Sequence, residues 1–283
     1  MRSQGVSKGP RPYGEPAGVR LLVALEGAGV DPFTTAQAVN EGAALDLTPR
    51  HTITLLHRLA ASGWITRIKK GVYVINDPVT RLPKAHPFAI GTALVTPSAV
   101  SHWSALQYWG LTEQIPGVIT VASPRRTFPP SDEAQSVNDH SAWSVAGISY
   151  EVIAITEARF FGVAQVWINE RTQVPIFDRE RALLDAFHHF QVFGSLSVGL
   201  EILEARFDDI DIPRLVQHAQ QLGVAAVVKR VGWALDRLGA APDVLAPLRD
   251  YPVKGESPLD PGQPARGRHN STWRVIENLH DGQ

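Results

Sequence analysis

The sequence predicts a mixed α/β (α+β) protein: an N-terminal winged helix-turn-helix domain, then a larger mixed α/β domain with a helical C-terminal part. Three observations predict it. Three short helical periods and a β-hairpin follow one another within about 60 residues, the order of a winged helix-turn-helix. From Phe88 onward strand and helix patterns mix, and beyond Val198 helical period takes over. With 283 residues, 44% hydrophobic and 19% charged, the chain has apolar material for a sizeable core and too little charge for a disordered polymer. The expected organisation is an arm (1–18), a winged helix-turn-helix domain (19–76), a linker (77–87) and a second domain (88–283).

The arm holds four glycines and three prolines and has no helical or strand period. Val19 to Leu25 then forms a short helix ended by Gly27 or Gly29. Thr34 or Thr35 caps a second helix through Ala36, Ala38, Val39 and Ala43. The third helix is the most informative. Thr48 is its N-cap and Pro49 occupies the first helical position, where a fixed φ helps and a missing N–H costs nothing. Helical period runs from Arg50 to Ser62, and Gly63 supplies the stop. Stepping about 100° per residue places Thr52, Ile53, Leu55, Leu56, Leu59 and Ala60 on one half of the cylinder. Arg50, His51, Thr54, His57 and Arg58 fall on the other. The first half predicts a core face; the second is cationic or hydrogen-bonding. Trp64 to Ile68 and Val72 to Ile75 read as paired strands around a basic Lys69-Lys70-Gly71 turn.

Charge along the chain is uneven although the total is −1. Leu47 to Arg126 carries 9 basic residues against Asp77 and Glu113, whereas Thr127 to Val228 carries 6 basic and 14 acidic residues. No acid lies between Thr48 and Asn76. Lysines and arginines that neutralise phosphates release counterions, so the basic stretch points to a polyanion, double-stranded DNA. The candidate DNA-binding residues are Thr48, Arg50, His51, Thr54, His57, Arg58, Arg67, Lys69 and Lys70. Arg81 and Lys84 in the linker extend the same charge.

In the second domain Ser98 is read as capping a helix through Ala99, Trp103, Leu106 and Trp109, ended by Gly110. Val118 to Ala122 is a strand, followed by a polar loop from Pro124 to Ser141. Strands are expected at Tyr150–Ile155, Gly162–Ile168 and Val174–Phe177. Asp178 caps a helix that buries Ala182, Leu183, Ala186 and Phe187. Helices follow at Val198–Phe207, Ile212–Leu222 and Val224–Leu238. A proline-rich tail, Tyr251 to Gly267, leads to a short amphipathic end with Trp273, Ile276 and Leu279.

Several chemistries are excluded. Without cysteine there is no disulfide, thiolate zinc site, iron–sulfur cluster or cysteine nucleophile. The zincin, hydrolase-elbow and P-loop strings are absent. His188 and His189 adjoin near Asp185, but neighbours on a helix point about 100° apart and do not converge on one ion without a partner elsewhere. A Mg2+ nuclease needs paired carboxylates and a lysine nearby. Glu151, Glu157 and Asp178 supply acids, yet no lysine lies between Lys84 and Lys229. No cofactor, metal or catalytic residue is therefore expected. No apolar run approaches the roughly 18 residues of a membrane span and the first sixteen residues do not form a secretory signal, so a cytoplasmic location without membrane partner is expected.

The strings "RIKKGVYVI", "SHWSALQYWGLT", "FDRERALLDAF", "VKRVGWALDRLG" and "PLDPGQPARGRHNSTWRVIEN", in this order, resemble the AbiEi-type antitoxins, transcriptional regulators of viral-defence toxin–antitoxin systems. The resemblance runs from about Val19 to near the end. It implies a winged-helix domain binding inverted repeats in its own promoter and a C-terminal domain countering a cognate nucleotidyltransferase toxin. By position it implies Arg50, His51, Thr54 and Arg58 on the recognition helix and Lys69 and Lys70 at the wing tip. It further implies core roles for Trp103, Leu106, Trp109, Leu183, Leu184 and Trp233. The chain departs from the family in its longer arm before Val19 and its extended Pro129–Ser141 loop.

The resulting expectation is a non-enzymatic repressor that autoregulates a toxin–antitoxin operon and counteracts the toxin. A ligand-sensing regulator is the alternative, with the Mg2+-dependent nuclease third.

Overall fold

The computed structural model describes residues 16–127, 135–137 and 140–279. Most of the expected arm and of the Pro129–Ser141 loop lies outside the described residues. The chain divides into two compact units, Met1–Ile90 and Gly91–Gln283.

The first unit is a winged helix-turn-helix. Helix α1 (Ala17–Gly27) is followed by the short strand β1 (Phe33–Thr34), α2 (Thr35–Ala43), α3 (Pro49–Ala61) and the hairpin β2 (Ile65–Lys69) and β3 (Val72–Ile75). The sheet order is β1-β3-β2, all antiparallel, with Phe33 opposite Tyr73. β1, a two-residue strand too short to show alternation, was not anticipated. Leu21, Leu25, Leu56, Leu59, Phe33 and Ile65 meet in one core, each burial stabilising by about 1.5–3 kcal/mol. One helical-wheel assignment is corrected: Ile53 is not in that core but 41% exposed.

The segment read as a linker, 77–87, has a fixed course within this unit. Asn76 bridges to Pro83, Lys84 N–H donates to Ile75 C=O at 2.8 Å, and Asp77 caps its own turn through Val79 and Thr80. Helix α4 (Pro87–Leu94) follows.

The second unit is built on a seven-stranded mixed sheet. Its strands are β4 (Ala99–Val100), β5 (Val118–Ser123), β6 (Gln135–Val137), β7 (His140–Val145), β8 (Ile148–Ala154), β9 (Val163–Trp167) and β10 (Gln173–Phe177). They lie in the order β6-β7-β8-β5-β4-β10-β9, with β5/β8 and β4/β10 parallel. Two expectations are corrected. Ala99 and Val100 pair with β5 and β10 instead of starting a helix, so α5 begins later, at His102, and runs to Tyr108. Strand β6 and the start of β7 occur within the stretch from Pro124 to Ser141 where a polar loop was expected, and β7 pairs with β8.

Helix α6 (Arg179–His188) is capped by Asp178, whose carboxylate accepts the Arg181 N–H at 2.8 Å. It is buried nearly all round, Glu180, Arg181 and Asp185 included. Buried charges require partners: Arg181 pairs with Asp185, and Glu180 accepts the Asp211 N–H. Leu106, Leu183 and Leu184 are fully buried. Trp103 and Trp109 are half-buried and anchor through their indole N–H groups, to Val192 C=O and Phe177 C=O.

The helical part comprises α7 (Leu196–Ala205), α8 (Ile212–Leu222), α9 (Ala225–Arg237) and α10 (Pro242–Arg249). Lys229 donates to the Leu248 and Arg249 carbonyls, closing the C-terminal end of α10. The tail read as proline-rich with an amphipathic end forms a small sheet instead. β11 (Ser257–Pro258), β13 (Val275–Glu277) and β12 (Arg268–Asn270) lie side by side, and Trp273 is buried against Gly232.

Candidate nucleic-acid interface

The start of α3 is fixed by Thr48, whose hydroxyl oxygen accepts the His51 N–H at 3.3 Å, and by Pro49 at the first position. Thr48 is exposed, and the cap uses one lone pair of its hydroxyl while the hydroxyl proton stays available to donate. Because Leu55, Leu56 and Leu59 are held in the core, the opposite face is turned outward. Arg50, His51, Thr54, His57 and Arg58 are all exposed there. At 1.5 Å per residue, Arg50 to Arg58 spans about 12 Å, roughly three to four base-pair steps of about 3.4 Å.

Ile53, which the helical wheel assigned to the core, belongs to this outward face. It stands three residues after Arg50 and four before His57, the spacing of side-by-side neighbours on a helix. An exposed methyl-bearing side chain among cations suits contact with a thymine methyl group. Thr54 donates its hydroxyl proton to the Arg50 C=O at 2.9 Å, leaving the oxygen as an acceptor.

The approach of α2 to α3 depends on a small residue. A Cβ on Gly42 would stand 2.5 Å from the Thr52 hydroxyl oxygen, inside van der Waals contact. The N-terminus of α2 carries a full capping box: Gln37 N–H donates to Thr34 Oγ1 at 3.2 Å, and Thr34 N–H donates to Gln37 Oε1 at 2.8 Å. The T-x-x-Q spacing from Thr34 to Gln37 was the sequence signal for it.

The wing is short and anchored. Its turn is Lys70-Gly71, with Gly71 at φ +74°, and the Gly71 C=O accepts from Thr35 N–H at 2.8 Å and from the Thr35 hydroxyl at 3.3 Å. The wing tip therefore rests on the first turn of α2. A register shift between Arg67 and Lys69 lets Arg67 Nε donate to the Lys69 C=O at 3.3 Å. Arg67 and Lys70 are exposed; Lys69 is half-buried, and burial draws its ammonium pKa down. Of the linker cations, Arg81 lies 4.6 Å over the Trp64 ring and Lys84 pairs with Glu26 at 2.5 Å. Both are committed within the unit.

Beneath the wing, the Asp31 carboxylate accepts the Ile75 N–H at 3.1 Å, and burial pushes its pKa up to about 7. The sequence offered no local signal for this group, because its partner lies 44 residues away.

The acids weighed for a metal in the second unit do not converge. Asp178 caps α6 and pairs with His218 at 2.9 Å, and among the described residues Glu151 and Glu157 join no ligand cluster with it.

Residues 20–76, from α1 to the end of β3, match the family model described as transcriptional regulator, AbiEi antitoxin. No curated protein matches the chain. Among solved structures it is similar to the crystal structure of the RV2827C protein from Mycobacterium tuberculosis. The two share 16% identity, over 93% of this chain and 92% of that chain, with a TM-score of 0.60. At that identity the likeness is one of fold. Among the described residues, no helix is long and apolar enough to cross a membrane.

Proposed function

We propose, taking the AbiEi-type transcriptional-regulator segment at residues 20–76 as premise, that this chain is a sequence-specific double-stranded-DNA-binding repressor of its own toxin–antitoxin operon. One observation carries the reading: an acid-free, outward face of α3 bearing Arg50, His51, Thr54, His57 and Arg58 on a helix locked into the core from behind. In this mechanism α3 enters the major groove, with Arg50 and Arg58 donating to guanine O6 and N7 or to phosphates. Arg67 and Lys70 hold the backbone beside it, and Lys69 supports the turn. Inverted repeats in the promoter are the proposed operator.

The second unit, in the same reading, counteracts a nucleotidyltransferase toxin without catalysis of its own. A footprint on the DNA upstream of the gene tests the DNA half of this reading. Protection of a repeated half-site supports it, and uniform cleavage with the chain present removes it.

A second reading, a regulator that senses a small molecule, is favoured by one feature of the second unit. A cleft of about 520 Å3 is lined by Trp233, Arg237, Arg268, Glu277 and several leucines. A metabolite panel that raises the melting temperature of the wild type but not of Arg237→Ala supports that reading.

A further inference from the structure

We infer that His102, Asp185 and His189 in the second unit form a binding site for a single divalent transition-metal ion of the borderline class, such as Zn2+. One donor atom from each lies within 4.8 Å of the others. His102 opens α5, Asp185 sits in the last half of α6, and His189 is the residue that ends it. His189 is the partly exposed member, which gives an ion a path to two buried ones.

The hydrogen bonding joins the two rings to each other and leaves one carboxylate oxygen unspent. His102 Nδ1 lies 2.9 Å from the Ser101 hydroxyl oxygen, and its Nε2 lies 2.9 Å from His189 Nδ1. If Nδ1–H donates to Ser101, the Nε2 lone pair accepts the His189 Nδ1–H, and an ion takes the place of this shared proton once His189 carries it on Nε2 instead, with the Ser101 oxygen fixing the tautomer of the ligating His102 ring. The Asp185 carboxylate is fully buried, and its Oδ2 has no hydrogen-bond partner. That oxygen is 3.7 Å from His102 Nδ1, too far for a hydrogen bond, while Oδ1 is held by Arg181. A buried carboxylate oxygen without a donor is costly, and a cation satisfies it.

Two imidazoles and one carboxylate are a nitrogen–oxygen donor set suited to Zn2+, Co2+ or Ni2+ and not to Mg2+ or Ca2+. Arg181 offsets the carboxylate charge, so affinity in the micromolar range is expected. The ion would be structural, tying α5 to the end of α6 in a chain without cysteine.

The test uses the untagged full-length chain after dialysis against a chelator, titrated with Zn2+ by calorimetry and with Co2+ by visible absorption. One ion per chain, with the d–d bands of a low-coordinate Co2+ site, is the expected result. His189→Gln should weaken Zn2+ at least tenfold, and His102→Gln should do the same. His188→Gln, outside the donor set, should retain wild-type binding. His189→Gln is the decisive variant because its partly exposed position lets the fold tolerate it, checked by circular dichroism. Absence of saturable one-to-one binding, or wild-type affinity in a folded His189→Gln, overturns the inference.

Discussion

Gly42 on α2 faces the buried Thr52 hydroxyl on α3 so closely that a Cβ would stand 2.5 Å from the oxygen. Thr52 is fully buried and its hydroxyl has no hydrogen-bond partner, so this contact sets how near the two helices approach. The orientation of α3, and with it the direction of Arg50 and Arg58, depends on that fit.

Gly42→Ala should therefore destabilise the first unit by about 1–3 kcal/mol through overpacking. Thermal unfolding measures it. The double variant Gly42→Ala with Thr52→Ala should recover part of the loss, because the two side chains share one space. Strict additivity of the two single effects would show that the contact is not what separates the helices.

Gly232 makes a tighter approach in the second unit: a Cβ there would stand 2.0 Å from the Trp273 ring. Trp273 also donates its indole N–H to Asp236 at 2.8 Å, so the ring is not free to swing away. Gly232→Ala should shift Trp fluorescence toward that of a solvated indole and lower the melting temperature. Unchanged emission would contradict the packing.

The wing separates its lysines. Lys70 is exposed at the turn while Lys69 is half-buried. Lys70→Ala should reduce the slope of log affinity against log salt by about 0.9, one phosphate contact, and weaken specific and random duplexes alike. Adding Lys69→Ala should change the slope by less than a second full contact. Equal decrements, read from anisotropy titrations at several salt concentrations, would place Lys69 on the backbone as fully as Lys70.

Asp31 gives the first unit a pH dependence. Its carboxyl has a pKa of about 7 in the folded chain against an ordinary 3.8. The folded state thus binds the proton more readily than the unfolded state. Its stabilising contribution is fully present below the unfolded value and is lost as pH rises through about 7. Denaturant unfolding across that window should show stability falling as pH rises, by at most about 1.4 kcal/mol per pH unit from this group. Asp31→Asn, which keeps an acceptor for the Ile75 N–H, should flatten the profile. A slope unchanged in the variant would assign the dependence to other groups.

Much of the first unit was legible because its signals are local. Thr48-Pro49 and Gly63 bracket α3, and Lys70-Gly71 marks the turn between strands of β-branched residues. What escaped depends on distance along the chain. Ile53 lies at the border of the helical wheel, where periodicity does not decide burial. Ala99 and Val100 have helix-compatible neighbours, but pairing with β5 and β10 outweighs that preference. His188 and His189 were read as unable to converge on one ion without a partner elsewhere. The group that His189 meets, His102, lies 87 residues earlier, beyond the reach of local pattern. Of the charged residues of α6, Glu180 finds its partner, the Asp211 N–H, 31 residues away, whereas Arg181 and Asp185 stand at the i,i+4 spacing of a local pair, which the sequence carried but which does not itself tell a buried pair from an exposed one.

Co-expression separates the two proposed activities. A chain beginning at Pro87, which keeps α4 whole, should still protect cells from the neighbouring nucleotidyltransferase toxin if the second unit acts alone, and should no longer repress the promoter. Loss of protection with the shortened chain folded and abundant would tie toxin control to DNA binding.

The most direct measurement compares Arg50→Ala with the wild type on an operator duplex and on a random duplex of equal length at one salt concentration. The account predicts a loss of about 1–3 kcal/mol on the operator and a distinctly smaller loss on random DNA. Equal losses on both, or none on either, would contradict the claim that the outward face of α3 reads sequence.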